Sequence, residues 1–202
     1  IDYLRMATAP FFVGDSHAPR FVHAGRFPHN KDRRMHLLST QAIGDMSVAI
    51  YALKASAEDY ARMEQAITLA AQCPPSKGAY SVGAVIVTED GQVFTGYSRE
   101  TAPTNHAEEE AILKAIRAGS RLTGATVYSS MEPCTTRKSK PASCSELIIL
   151  HRMKRVVFAA YEPDRFVRCC GADRLQKAGI DVLVLSDLSA EALAPNAHIL
   201  SR

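Results

Sequence analysis

The sequence predicts an α/β fold, a three-layer α/β/α arrangement with a mixed five-stranded sheet and helices on both faces. Three observations carry that expectation. From Glu58 onward, nine segments of helical or strand periodicity follow one another, in the order α-β-β-α-β-α-β-α-β. The first two strand-like runs are joined by a short "EDG" turn and read as an antiparallel hairpin. Every later strand is followed by a helix before the next strand, the syntax of parallel crossovers.

Each element has its own local cause. "EDYARMEQAITLAAQC" sets Tyr60, Met63, Ile67 and Ala71 at helical spacing, and "PPSKG" stops it. "SVGAVIVT" and "QVFTGYS" are rich in β-formers. "HAEEEAILKAIRAG" is a helix closed by glycine, "ATVYSS" a strand, and "SELIILHRM" a second helix in this series. "RVVFAAY", "GADRLQKAG" and "IDVLVLS" complete it as strand, helix and strand. Residues 1–55 differ: they hold His17, His23, His29, His36 and the basic run "KDRR", with no clear apolar period before "QAIGDMSVAIYALKAS". They are expected to form an irregular N-terminal extension, with their histidines solvated.

Composition narrows the class. The 202 residues suffice for a full core, and 47% hydrophobic with 22% charged residues is the balance of a globular protein. A net charge of +3 is too small to argue for nucleic acid or a membrane surface. No apolar run approaches the length of a membrane span, and no signal-like pattern opens the sequence. Five cysteines is an odd number in a chain of this size, which favours a reducing, cytoplasmic setting and metal or redox roles for cysteine.

The chemistry concentrates in two loop–helix junctions. In "PTNHAEEE", Asn105 is the expected N-cap, with His106 first and Glu108 third in the helix; a capping-box role for Glu108 is the plainer alternative. In "SCSE", Ser143 caps, Cys144 is first and Glu146 third, while Cys134 lies in the turn before it. A helix N-terminus favours the ionised thiol of Cys144. His106, Cys134 and Cys144 would give a tetrahedral zinc ion three protein ligands and leave its fourth corner to water, the layout of a catalytic site. Glu108 can face that corner without binding metal. Glu109 and Glu110 are expected to be solvated, and Cys73, Cys169 and Cys170 to be inert or exposed thiols.

H-x-E followed by "EPC" and a second cysteine resembles the zinc-dependent cytidine deaminase superfamily. Nine residues separate the cysteines instead of two, and from "HAEEEAI" to "AGIDV" the chain looks like the pyrimidine deaminase domain of bacterial riboflavin biosynthesis. The resemblance implies a cytidine-deaminase-like fold over residues 56–202, one zinc ion per chain on His106, Cys134 and Cys144, and Glu108 as the proton-shuttling catalytic residue. It also implies a substrate pocket. The family's asparagine before the V-G-A strand is replaced near Ala79 and Tyr80, its histidine after the first cysteine by Thr136, and its D-P-N turn by Glu162 to Asp164. Lys140 matches the family's basic residue that contacts a substrate phosphate, with Arg137 and Lys138 nearby. The gap between the cysteines is one residue longer than usual in that family. A reductase domain, often fused to the deaminase, is not expected after Ser186.

The expected activity is hydrolytic deamination of a small aminopyrimidine, phosphorylated as in a riboflavin-pathway intermediate or a pyrimidine nucleotide, with release of ammonia. Two rivals remain at this stage: a deaminase of a purine base, nucleoside or single-stranded nucleic acid, and a non-catalytic zinc module. A polynucleotide substrate calls for aromatic platforms in a basic groove, and the chain has no Trp. A structural zinc site is closed by four ligands, not three. The expected partners are the small-molecule substrate and a second copy of the chain in a homodimer, with neither nucleic acid nor membrane.

Overall fold

The structure, a computed structural model, describes residues 3–10, 17, 29, 34–163 and 170–200. The chain divides into two units, residues 1–57 and residues 58–202.

The first unit corrects the expectation of an irregular extension. It contains β1 (Tyr3–Thr8), β2 (His36–Ile43) and β3 (Met46–Ala52), antiparallel in the order β1-β3-β2. Gly44 takes a φ of +63° in the tight turn between β2 and β3, a conformation that glycine adopts without strain. Val48 and Ala52 are its buried apolar residues, while most of β2 is exposed. So few buried side chains leave a weak alternation signal. Moreover, β1 pairs with a strand far from it in sequence, which local patterning does not report.

The second unit follows the expected order: α1 (Ala57–Ala70), β4 (Gly83–Val87), β5 (Val93–Tyr97), α2 (Ala107–Arg117), β6 (Thr126–Met131), α3 (Cys144–Leu150), β7 (Arg155–Ala160), α4 (Gly171–Lys177) and β8 (Asp181–Val184). The sheet order is β5-β4-β6-β7-β8, antiparallel from β5 to β6 and parallel from β6 to β8. Gly91, at φ +85°, turns the hairpin between β4 and β5. Strand side chains alternate between two helical layers. Ile86, Val127, Val156 and Phe158 pack with Ile112 of α2, Ile148 of α3 and Leu175 of α4. On the other face Tyr128 donates a 3.0 Å hydrogen bond to Asp59 of α1.

The buried stripe of α1 is Asp59, Tyr60, Met63, Ala66 and Ala70; Ile67 is only half-buried and Ala71 is exposed. The Asp59–Arg155 ion pair at 2.6 Å explains that shift, because it draws the acidic side of the helix onto the sheet. After β8 the chain adds a 3-10 turn (Ser186–Leu188), α5 (Ser189–Leu193), a second 3-10 turn (Ala194–Asn196) and α6 (Ala197–Leu200). Short helical pieces broken at Pro195 carry no sustained period, so this tail is not legible in the sequence.

Two glycines let backbones meet where the site is built. A Cβ on Gly96 of β5 would stand 2.4 Å from Ala107 O at the start of α2. One on Gly171 would stand 1.9 Å from Pro133 O, just before Cys134. Both contacts seat the segments that carry His106 and Cys134.

Candidate functional site

His106 is the N-cap of α2, with extended backbone at φ −89° and ψ 162°. The helix therefore starts one residue later than the sequence predicts, and Asn105 caps nothing with its side chain. Asn105 Nδ2 instead donates to Glu110 Oε1 at 3.0 Å, and its Oδ1 accepts from Lys140 Nζ. Ser143 caps α3 as expected, with a full capping box to Glu146, and Cys144 is its first helical residue. The turn after β6 brings Cys134 beside both.

His106 Nδ1 lies 3.5 Å from the Sγ of Cys134 and 3.5 Å from the Sγ of Cys144. All three donor atoms lie within 4.8 Å of one another. With zinc–sulfur bonds of ~2.3 Å and zinc–nitrogen bonds of ~2.0 Å, a tetrahedral centre sets nitrogen and sulfur about 3.5 Å apart. The donor set fits zinc in both chemistry and spacing.

Electrostatics in the cluster favour a cation. The Cys134 thiol is pulled down to about 4, first by the hydrogen bond from Cys144 and then, against burial, by His106. Cys144 is raised, by donating that bond and by its own burial. Burial works to lower the His106 value, but its bond and charge contact with Cys134 outweigh it and the net direction is up. Negative charge thus collects on buried sulfur, where a metal ion would neutralise it.

Glu108 is 3% exposed and does not close a capping box; its Oε1 accepts a 3.2 Å hydrogen bond from Ser129 Oγ on β6. Burial first, then the nearby Cys134 charge, raises its pKa above the ordinary carboxylate value, against the pull of His106. A buried carboxyl whose pKa is raised is of the kind that takes and returns protons in a site.

Glu109 and Glu110 are buried, not solvated. Glu109 is shared by Arg137 Nη1 at 2.9 Å and Lys140 Nζ at 2.6 Å. Glu110 accepts from the backbone N–H and hydroxyl of Thr101, both at 2.8 Å. Their partners lie in other loops, which is why their place in a first helical turn misled the sequence reading.

A cavity of about 420 Å³ opens over the cluster, and His106, Glu108 and Cys134 lie in its lining. Of the residues predicted for the substrate, Tyr80, Thr136 and Glu162 line it. Lys140 is not in its lining, and its ammonium is held by Asn105 and Glu109. Asp164 and Cys169 lie outside the described residues. Arg99, Arg137 and Lys138 line the cavity as well. Arg99 escaped the sequence reading because it follows a strand in an ordinary-looking loop; its backbone at φ +65° is unusual for a residue with a side chain. Cys73 is half-buried and bonds Val82 O at 3.3 Å, and Cys170 is exposed.

No helix among the described residues is long and apolar enough to cross a membrane. The chain is 47% identical over 128 residues to the diaminohydroxyphosphoribosylamino-pyrimidine deaminase of Schizosaccharomyces pombe, a match covering 62% of this chain and 31% of that protein. It is 40% identical over 102 residues to the riboflavin biosynthesis protein RibD of Aquifex aeolicus, covering 50% of this chain and 27% of that one. The matched part is thus less than a third of either curated relative. Among solved structures it is similar to the Rib2 deaminase of Aspergillus oryzae in complex with DARIPP, with a TM-score of 0.60, 27% identity, and coverage of 68% of this chain and 88% of that one. Residues 56–160, just over half of the chain, match the profile of the cytidine and deoxycytidylate deaminase zinc-binding region, and the chain belongs to that family.

Proposed function

We propose that this chain is a zinc-dependent hydrolytic deaminase of a phosphoribosylated diaminopyrimidine, and that residues 56–202 form its deaminase domain. The observation that carries the reading is the buried Glu108 in the same cavity lining as His106 and Cys134 of the three-donor cluster. The substrate class comes from the names of the relatives in Schizosaccharomyces pombe and Aspergillus oryzae.

His106, Cys134 and Cys144 would hold the zinc, which when bound polarises a water for attack at neutral pH. Glu108 takes a proton from that water and delivers it to the ring nitrogen, while the water oxygen bonds to the neighbouring amine-bearing carbon. As the C–N bond breaks, the same carboxyl passes the second water proton to the departing amine, which leaves as ammonia. Ser129 holds the carboxyl in position through both transfers. Tyr80, Thr136 and Glu162 flank the ring, and Lys138, exposed at the cavity lining, meets the phosphate.

One zinc per chain, a homodimeric assembly and a cytoplasmic setting are the finer terms of the same proposal; metal analysis and sedimentation test the first two. The decisive assay is ammonia release by zinc-replete protein from DARIPP, with free aminopyrimidines, nucleosides and purine nucleotides as alternatives. Turnover of DARIPP alone supports the reading. Turnover confined to a nucleoside or a purine would replace it.

A further inference from the structure

The stretch between α1 and β4, residues 71–82, has no regular structure, yet it brings Tyr80 into the cavity lining. Such a wall keeps its shape only through outside contacts, and here they come from two directions. Arg99 donates to Pro74 O through Nε at 3.1 Å and Nη2 at 2.7 Å, and to Tyr80 O through Nη1 at 3.0 Å. From the C-terminal tail, the fully buried Asn196 accepts the Ser81 N–H on Oδ1 at 2.7 Å and donates from Nδ2 to Ser81 O at 2.9 Å.

A carboxamide carries one acceptor and a donor group side by side, as a peptide unit does. Asn196 therefore does for Ser81 what a residue of a paired strand would do. Its Nδ2 also lies 3.6 Å from Met131 Sδ, another part of the cavity lining. Two residues on, His198 Nε2 donates to Ser76 O at 2.9 Å. The tail thus grips the wall at its middle and near its end.

We propose that the C-terminal tail is a positioning element of the substrate pocket, with Asn196 its principal residue. It touches no reacting atom. By fixing Ser81 it fixes the adjacent Tyr80, so the pocket is shaped before substrate arrives and less ordering cost falls on binding. A loosened wall weakens affinity and leaves the proton transfers at Glu108 intact. This inference rests on the reading of the cavity as the site for a phosphoribosylated diaminopyrimidine.

The test is Asn196→Ala in the full zinc-loaded chain, followed by steady-state kinetics on DARIPP, zinc content and amide hydrogen exchange over residues 74–82. Losing the paired hydrogen bonds should raise KM about tenfold and leave kcat within about twofold. Exchange in the wall should quicken, with zinc content unchanged. An unchanged KM, or a fall in kcat at constant KM, overturns the proposal. Should Asn196→Ala not fold, the exposed His198→Ala decides: a KM rise of about threefold with faster exchange within residues 74–82 supports it, and no change in either overturns it. If the unaltered chain releases no ammonia from DARIPP, the substrate reading falls instead. Exchange then judges the tail alone, and unaltered exchange in the variant overturns it.

Discussion

Ser129 on β6 donates from its Oγ to Glu108 Oε1 at 3.2 Å, so a sheet residue steers the carboxyl that α2 presents to the cavity. One buried neutral hydrogen bond contributes about 0.5–1.5 kcal/mol. Ser129→Ala should therefore lower kcat roughly threefold to tenfold while zinc content holds. A kcat equal to that of the unaltered protein would leave Ser129 with a packing role only.

Glu108→Gln should fold, keep zinc and lose deamination. The loss expected for a proton shuttle is about 10²–10⁴-fold. Ammonia release at a near-normal rate would remove Glu108 from the chemistry. Cys134→Ser and Cys144→Ser should instead lose metal, which metal analysis of replete protein reads directly.

Lys138→Ala should raise KM for the phosphorylated substrate about tenfold, the size of one charge-assisted contact. The dephosphorylated compound should be affected little. Lys140→Ala should act differently, lowering thermal stability by releasing Glu109 and Asn105. If only Lys140→Ala shows the phosphate-selective loss, the two lysines exchange roles.

Glu109 gives the protein an acid-sensitive joint. Burial works to raise its pKa, but the hydrogen bonds from Arg137 and Lys140 outweigh it and hold the carboxyl below its ordinary value. A depressed carboxyl contributes stability above its unfolded pKa, near 4.5, and loses it as pH falls through the folded value. Denaturant titrations of Glu109→Gln should show a flatter loss of stability below about pH 4.5. At neutral pH the variant should be less stable by roughly 1.5–3 kcal/mol. A pH slope identical to that of the unaltered protein would argue against the assignment.

Gly96→Ala forces a methyl group towards Ala107 O, where backbone meets backbone. Overpacking of this kind costs about 1–3 kcal/mol, and it falls on the helix start that holds His106. Thermal unfolding should show the loss, with weaker zinc retention beside it.

The second unit was legible because its local signals agree with its tertiary structure. The apolar run of β4, the capping box at Ser143 and the glycine after α2 each mark an element without help from distant residues. The clustering of His106, Cys134 and Cys144 was legible because those residue types at that spacing are rare together. What escaped depends on partners far away in sequence. Glu109 looks solvated until Arg137 folds over it, and Asn196 looks like a loop residue until Ser81 meets it. The N-terminal sheet was missed because β1 pairs with β3 across a long intervening stretch.

The alternation along β6 limits where the chain can change length. Tyr128 points to α1 and Asp59, and its neighbour Ser129 points to α2 and Glu108. Inserting one residue ahead of Tyr128 would set its phenol against Glu108, and deleting one there would set the Ser129 hydroxymethyl against Asp59. The stretch between Cys134 and Cys144 is irregular, and an added residue there can bulge outward without reversing any side chain. Length variation among relatives should therefore collect between the two cysteines and be absent from the strand that precedes them.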